Sequence, residues 1–513
     1  MNKRKLAVFG LIAAALGTLL FFSVRVRMDE APPEATPTAS YGEDPITGSI
    51  LIDIDDDASE ADHLRIARDV ASAIAPYDWE TTYAGLGTEI SDPANLFRLT
   101  PPASEVRDVL RELADDPDVE VVEVERSWSI PEWRSFATPA GAEAPEPSDD
   151  PGRFIPNDPY YGFQWHLDQI GMPEAWTRNR GSGVVVAVID TGVAFRDESG
   201  WMRAPDLADT DLVAGYDFVH NDPNPDDEHG HGTHVAGTIA QSTHNGVGVA
   251  GVAPEASIMP LKVLDANGSG GWGAIAAAIR YAADNGADVI NMSLGGGMSS
   301  RAVQRAIDHA HANDVLVVAA AGNSSRSRVE YPARHNHVVA VGAVRYDRSL
   351  TFYSCYGTGL DVVAPGGDLR VDQNDDGMPD GVLQNTMVGG DPRSFDYLAW
   401  QGTSMASPHV AGVGALIYSS GVRDPDTVEQ ILKQSATDLG DARRYGSGLI
   451  QANDALMMAT QVPSAARGVT AIGLALLLLL GLRRREEGPG LKATSAWSAA
   501  IASRSSTSPR LSV

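Results

Sequence analysis

Val186-Ala187-Val188-Ile189-Asp190-Thr191-Gly192 is an apolar run that ends on a carboxylate and a glycine. Such a run reads as a buried strand, and an aspartate at its carboxyl end is held firmly while still reaching a cleft. Taken alone the ending is ambiguous, because Asp-Thr-Gly also occurs in aspartic proteases. Working outward, short apolar runs recur at Val184 to Ile189, Ser257 to Val263, Val289 to Met292, Val315 to Ala320 and Val338 to Val341. Helix-like stretches lie between several of them, at Trp272 to Asn285 and Arg301 to Ala312. This alternation predicts an α/β unit over 154–459, with a mostly parallel sheet covered on both faces.

The chain has 513 residues, too many for one compact core, so two or three units are expected. Its net charge of −29 leaves no basic excess to meet phosphates, which excludes a nucleic-acid partner. Cys355 is the only cysteine, so neither an intrachain disulfide nor a four-thiolate metal site can form.

Lys3-Arg4-Lys5 precedes an uncharged stretch from Leu6 to Val24, which at about 1.5 Å per residue approaches the hydrocarbon thickness. Residues 1–28 therefore read as a signal peptide or an N-terminal membrane anchor, and the protein as exported, in the cell envelope or outside it. A linker rich in Pro, Glu, Thr and Ser follows at 29–48. Ile50 to Asp55 and Val119 to Val124 then look like strands, and Val106 to Leu113 has helical spacing, which gives a small α+β domain at 49–131. A second linker at 132–153 is dense in Ala, Pro, Glu and Asp and is expected to be exposed and easily cut. Beyond a short linker at 460–467, the apolar stretch at 468–482 ends on Arg483-Arg484-Arg485 and is expected as a second membrane segment. The basic tail at 483–513 is expected to be disordered.

Two further patterns join the aspartate. His229-Gly230-His231-Gly232-Thr233-His234-Val235-Ala236-Gly237 surrounds its histidines with glycines, which favours a close approach at a helix start over a metal pair. Gly402-Thr403-Ser404-Met405-Ala406-Ser407-Pro408-His409 leaves Ser404 unobstructed in the first turn of a helix. In the order Asp, His, Ser these patterns resemble the subtilisin family of serine proteases, a chain order noted for that family generally. The resemblance covers about residues 154–459. It extends to Ser293-Leu294-Gly295-Gly296, Ala320-Ala321-Gly322-Asn323, Ala364-Pro365-Gly366 and Tyr445-Gly446-Ser447-Gly448.

That resemblance implies a three-layer fold preceded by an inhibitory prodomain, and a serine endopeptidase made as a zymogen. It gives Ser404 the role of nucleophile, His231 that of proton carrier, Asp190 that of orienting carboxylate and Asn323 that of oxyanion donor. His234 and His409 would be structural. Polypeptide substrates would lie along Ser293, Leu294, Gly295 and Gly296 as an added strand. Glu330 matches a position at the floor of the first specificity pocket, where a carboxylate would favour Lys or Arg before the cut bond. A catalytically silent binding homologue would be expected to have lost one of the four chemical residues, and all four are present.

Structural Ca²⁺ is expected at two stretches. Asp372, Asn374, Asp376, Met378 and Asp380 place oxygens at alternate positions with Gly377 at the sixth, although the glutamate of a standard EF-hand is missing. Asp217, Asp222, Asn224 and Asp226 resemble the calcium loop of thermitase-like members, with His220 standing at one ligand position. The family's other calcium loop would fall near Thr243 to Val249.

Overall fold

The computed structural model describes residues 46–54, 78–81, 96–114, 119–130, 136–138, 144–146, 148–198 and 200–463. The segments expected at 1–28, 468–482 and 483–513 lie outside these residues. No helix among the described residues is long and apolar enough to cross a membrane.

Seven strands form the central sheet of the larger unit: β6 (Val185–Asp190), β7 (Tyr216–Asp217), β8 (Ser257–Lys262), β10 (Val289–Met292), β11 (Leu316–Ala320), β12 (Val338–Val344) and β13 (Val362–Pro365). Their spatial order is β13-β12-β11-β10-β6-β8-β7, and every pair is parallel. Strands β10 to β13 are buried at every position, so both faces of the sheet must be covered. Helices α2 (His231–Ala240) and α5 (Thr403–Ser419) pack together, and α5 runs across β10 to β13. Helices α3 (Trp272–Asp284) and α4 (Arg301–Ala312) pack against each other as a second layer touching β6, β8 and β11. Helices α6 (Pro425–Gln434) and α7 (Ala452–Gln461) back α5. The α/β expectation holds, with element ends within a few residues of those read from the sequence.

The smaller unit contains β1 (Ile46–Ile54), β2 (Asp78–Thr81), β3 (Leu96–Thr100), α1 (Val106–Ala114) and β4 (Val119–Ser129). Its antiparallel sheet has the order β2-β3-β1-β4 and starts at Ile46, three residues before the expected boundary. Period-two alternation divides β1 between two cores. Ile50 and Ile52 pack with Leu99, Val109 and Leu113 inside the small unit. Leu51, pointing the other way, joins Leu96 and Trp128 in the core of the large unit. Each such buried side chain stabilises the contact by about 1.5–3 kcal/mol.

Strand β4 continues this sheet into the large unit by pairing antiparallel with β9 (Ser269–Gly271). A further antiparallel sheet joins β14 (Val382–Met387), β15 (Phe395–Trp400) and β5 (Phe136–Ala137). Part of the expected free linker at 132–153 is therefore bound. Phe136 pairs with Ala399 and Ala137 with Leu398, while Thr138 N donates to Tyr397 O.

Candidate active site

Asp190 ends β6, His231 opens α2 and Ser404 lies in the first turn of α5, so three separate elements bring them to the carboxyl edge of the sheet. All three are almost wholly inaccessible. His231 Nδ1 donates to Asp190 Oδ1 at 2.7 Å, and that oxygen also accepts the Thr191 amide at 2.7 Å. A carboxylate can only accept, so the imidazole proton is held on Nδ1 and the Nε2 lone pair is left open. His231 Nε2 has no hydrogen-bond partner among the described residues. Ser404 Oγ donates to Ser293 O at 3.1 Å.

Asn323 is aimed by its acceptor end. Its Oδ1 accepts from the Thr403 amide and the Thr403 hydroxyl, both at 2.9 Å, which leaves the amide nitrogen facing the cleft. Gly402 shows where that nitrogen points. A Cβ at this residue, whose φ is +152°, would lie 3.6 Å from Ser404 N and 3.7 Å from Asn323 Nδ2. Two N–H donors thus border one small space left by a missing side chain, beside the serine. An oxyanion formed there would meet both.

The neighbouring histidines have other work. His234 is buried, and burial pushes its pKa down to about 3, so it stays neutral. Its Nε2 faces Val382 O at 3.1 Å and Leu398 O at 3.2 Å, and its ring stacks on Trp400 at 4.9 Å between centroids. His409, pushed to about 4 by burial, donates from Nδ1 to Met405 O and accepts from His166 at 2.8 Å. Neither ring is turned to the serine.

Ser293 to Gly296 form one wall of a channel. Gly296 exchanges both backbone hydrogen bonds with Tyr331, at 2.8 and 2.9 Å, and Gly295 bridges to Ser129 on the opposite edge. Leu294 is buried in the core, and Ser293 Oγ donates to Ser404 O at 2.7 Å. Opposite this wall, Gly268 to Gly271 hold the same visiting strand through β9 and through Ile130 N, which donates to Gly268 O at 3.0 Å. The end of β4 therefore fills the position between the two walls, with Trp128 buried against Trp272 at 5.8 Å.

Glu330 lies at the back of this region. A Cβ on Gly322, the residue before Asn323, would come within 2.3 Å of Glu330 Oε2. Ser324 Oγ donates to Glu330 Oε1 at 2.5 Å, and the Cys355 thiol approaches the same oxygen at 3.8 Å. Burial and the adjacent Glu330 charge raise the Cys355 pKa, so this lone thiol is kept protonated.

The two acidic stretches expected to hold calcium differ. In the 372–380 loop, Asp376 accepts from the Asn374 amide and the Met378 amide, Asp372 from the Gly377 amide and Asp380 Oδ2 from the Gln373 amide. Asp380 Oδ1 is buried without a hydrogen-bond partner. Burial and the nearby Asp372, Asp376 and Asp368 charges push the Asp380 carboxyl up to about 6. Met378 can contribute only its carbonyl oxygen. These residues fit a hard cation.

In the 217–226 loop the oxygens are already matched to internal cations. Arg196 donates to both carboxylate oxygens of Asp226, at 3.0 and 2.5 Å, and to Asn224 Oδ1 at 2.9 Å. Asp217 accepts from His220 Nδ1 at 2.8 Å, while Asp222 Oδ1 is turned to the Asn224 amide. Within the set Asp217, Asp222, Asn224 and Asp226, a guanidinium thus pairs with the oxygens of Asp226 and Asn224 that the calcium expectation assigns to an ion.

At the loop expected near Thr243 to Val249, two aspartates from distant stretches of the chain converge. Asp206 Oδ2 accepts the Val249 amide at 2.9 Å, while its Oδ1 is buried without a hydrogen-bond partner. Asp158 accepts the amides of His244 and Asn245 at 2.8 and 3.1 Å. Burial, with the Asp158 charge nearby, raises the Asp206 carboxyl to about 8. Both aspartates converge on the 243–249 loop, yet 158 and 206 stand far apart in the chain, so no local spacing betrays them.

Comparison with known proteins adds a common pattern. The profile of the Subtilase family matches residues 181–448. Thermitase from Thermoactinomyces vulgaris is 38% identical over 293 residues, covering 57% of this chain and 95% of the relative. Subtilisin Savinase from Lederbergia lenta is 40% identical over 293 residues, with 57% and 97% covered. A solved protease structure from Pseudoalteromonas arctica matches with a TM-score of 0.53 at 38% identity, covering 59% of this chain and 99% of that one.

Proposed function

The chain belongs to the subtilase family and is a serine endopeptidase, and from that premise we propose that Ser404, His231 and Asp190 carry its chemistry. The observation that carries this assignment is the 2.7 Å bond from His231 to Asp190, which leaves Nε2 as an open base. His231 takes the Ser404 proton as Oγ attacks the peptide carbonyl, and returns it to the leaving amine. Asp190 holds the tautomer and stabilises the imidazolium. Asn323 Nδ2 and the Ser404 amide receive the oxyanion. Covalent labelling by a fluorophosphonate should fall on Ser404 and vanish in Ser404→Ala. Labelling that survives this substitution would overturn the assignment.

The unit at 49–131 is the enzyme's own inhibitor, and the protein is made as a zymogen. Its β4 lies in the channel that a substrate would use, and β5 holds the chain again beyond the serine. Glu123 and Glu125, two residues apart on one face of β4, reinforce the docking. Glu123 accepts from the Ser300 hydroxyl and from the amides of Arg301 and Ala302, at the start of α4. Glu125 accepts the Gly273 amide at the start of α3 and pairs with Arg98. Carboxylates at helix N-termini satisfy orphan amides and the local positive dipole. The maturation cut falls between Ile130 and Phe136, a reading supported by the strands that hold the chain on either side of this stretch. Sequencing the amino terminus of the activated enzyme tests this position, and a start outside that window would refute it.

Glu330 gives the enzyme a preference for Lys or Arg before the cut bond, because its carboxylate lies against the backbone next to Asn323. Structural Ca²⁺ is held by Asp372, Asn374, Asp376, Met378 and Asp380, and by Asp158, Asp206 and the 243–249 loop. A buried carboxylate oxygen without a hydrogen-bond partner, Asp380 Oδ1 in one place and Asp206 Oδ1 in the other, supports each site. Export, by the segment at 1–28, puts the peptidase unit outside the cytoplasm, with 468–482 as a second tether.

A further inference from the structure

Away from the catalytic cleft, three side chains from distant parts of the sequence meet at the junction of α4, α6 and the start of β12. His311 lies in the last turn of α4, Asp426 in the first turn of α6, and His337 immediately before β12. His311 Nε2 donates to Asp426 Oδ1 at 3.0 Å, and the two imidazole rings face each other with centroids 3.9 Å apart. One ligand atom from each of the three residues lies within 4.8 Å of the other two. His311 and Asp426 are half-buried, while His337 is exposed.

We propose that His311, His337 and Asp426 form a binding site for a borderline divalent cation of the zinc class, with water completing the coordination. Two imidazole nitrogens with one carboxylate oxygen suit Zn²⁺ or Co²⁺, whereas calcium takes oxygens alone. Metal–ligand bonds of about 2.0–2.1 Å require the ligand atoms to close to roughly 3.3 Å in a tetrahedral shell. The pair His311–Asp426 is already there at 3.0 Å. The remaining closure falls to His337, whose exposed ring turns about two side-chain bonds without disturbing the core. Its outer side leaves room for water. Binding moves the His311 proton from Nε2 to Nδ1, so the nitrogen now bonded to Asp426 becomes a ligand beside it. The ion would tie α4, α6 and the residue before β12 together, adding to the bonds from His335 and the Asn336 amide to Gln304 Oε1 that already link α4 to that segment.

The test uses the full chain carrying Ser404→Ala, to prevent self-digestion, titrated with Co²⁺ in excess Ca²⁺ so that oxygen-only sites stay filled. One equivalent should develop a visible ligand-field band. His311→Ala and His337→Ala should each weaken Co²⁺ binding more than about tenfold, the scale of a damaged coordination shell. His309→Ala, an imidazole of the same helix bonded instead to Asp284, should bind normally. Zn²⁺ should raise the Tm of the parent chain and leave that of His337→Ala unchanged. No Co²⁺ band in the parent, or a band undiminished in the His311→Ala/His337→Ala double variant, would overturn the proposal.

Discussion

At the scale of single residues, the chemistry rests on how few groups are free to act. Thr403 consumes both acceptor positions of Asn323 Oδ1, so the amide nitrogen has only the cleft to serve. Asn323→Ala should lower kcat by about 10²–10³ with little change in KM, a size measured on a member of this family. Steady-state kinetics on a peptide substrate would check it, and a loss confined to KM would argue against oxyanion binding. Glu330→Gln should remove the preference for Lys or Arg, read from the cleavage products of a peptide mixture, while activity on other residues persists. Asp190, His231, Ser404, Asn323, His234 and His409 all stand out in the sequence, because each sits in a glycine-framed local pattern, and their roles come from the family resemblance. Arg196 does not. Its hold on Asp226 and Asn224 depends on a contact across about 30 residues that spacing does not reveal.

At the scale of elements, β4 does two jobs with its two faces and its end. Glu123 and Glu125 cap two helices of the other unit, while Trp128 and Ile130 enter that unit's core. Removing a cap costs about 1 kcal/mol, equivalent to about a fivefold change in affinity. Glu123→Ala and Glu125→Ala should each raise the inhibition constant of added residues 46–130 by at least that factor. Unchanged inhibition would mean that the strand register alone secures the inhibitor. Period-two alternation revealed β1 and the first half of β4 in the sequence. It could not reveal that β4 runs on to Ser129, because its partner there, β9, is Ser269-Gly270-Gly271 and carries no apolar signature. For the same reason β5, two residues long, read as linker.

For the whole molecule, Cys355 is the only cysteine, so no disulfide fastens the loops. Asp206 and Asp380, raised to about 8 and about 6, bind protons more readily folded than unfolded. Without calcium their contribution to stability is therefore lost as pH rises from about 4, the unfolded carboxylate value, through those folded values. Calcium bound at the proposed sites would replace the protons and reverse the trend. Melting temperatures of the Ser404→Ala chain with chelator and with Ca²⁺ should diverge progressively between pH 5 and pH 8, and parallel curves would refute the coupling. The pairing of the chain on both sides of Ser404 also bears on timing. When one of the peptide bonds between Ile130 and Phe136 is cut, both new ends remain zipped to their own sheets, β4 to β9 and β5 to β15. Scission alone then frees nothing. A nicked molecule should look processed on a gel while staying silent toward substrate, and the onset of activity should follow the slower peeling of a strand.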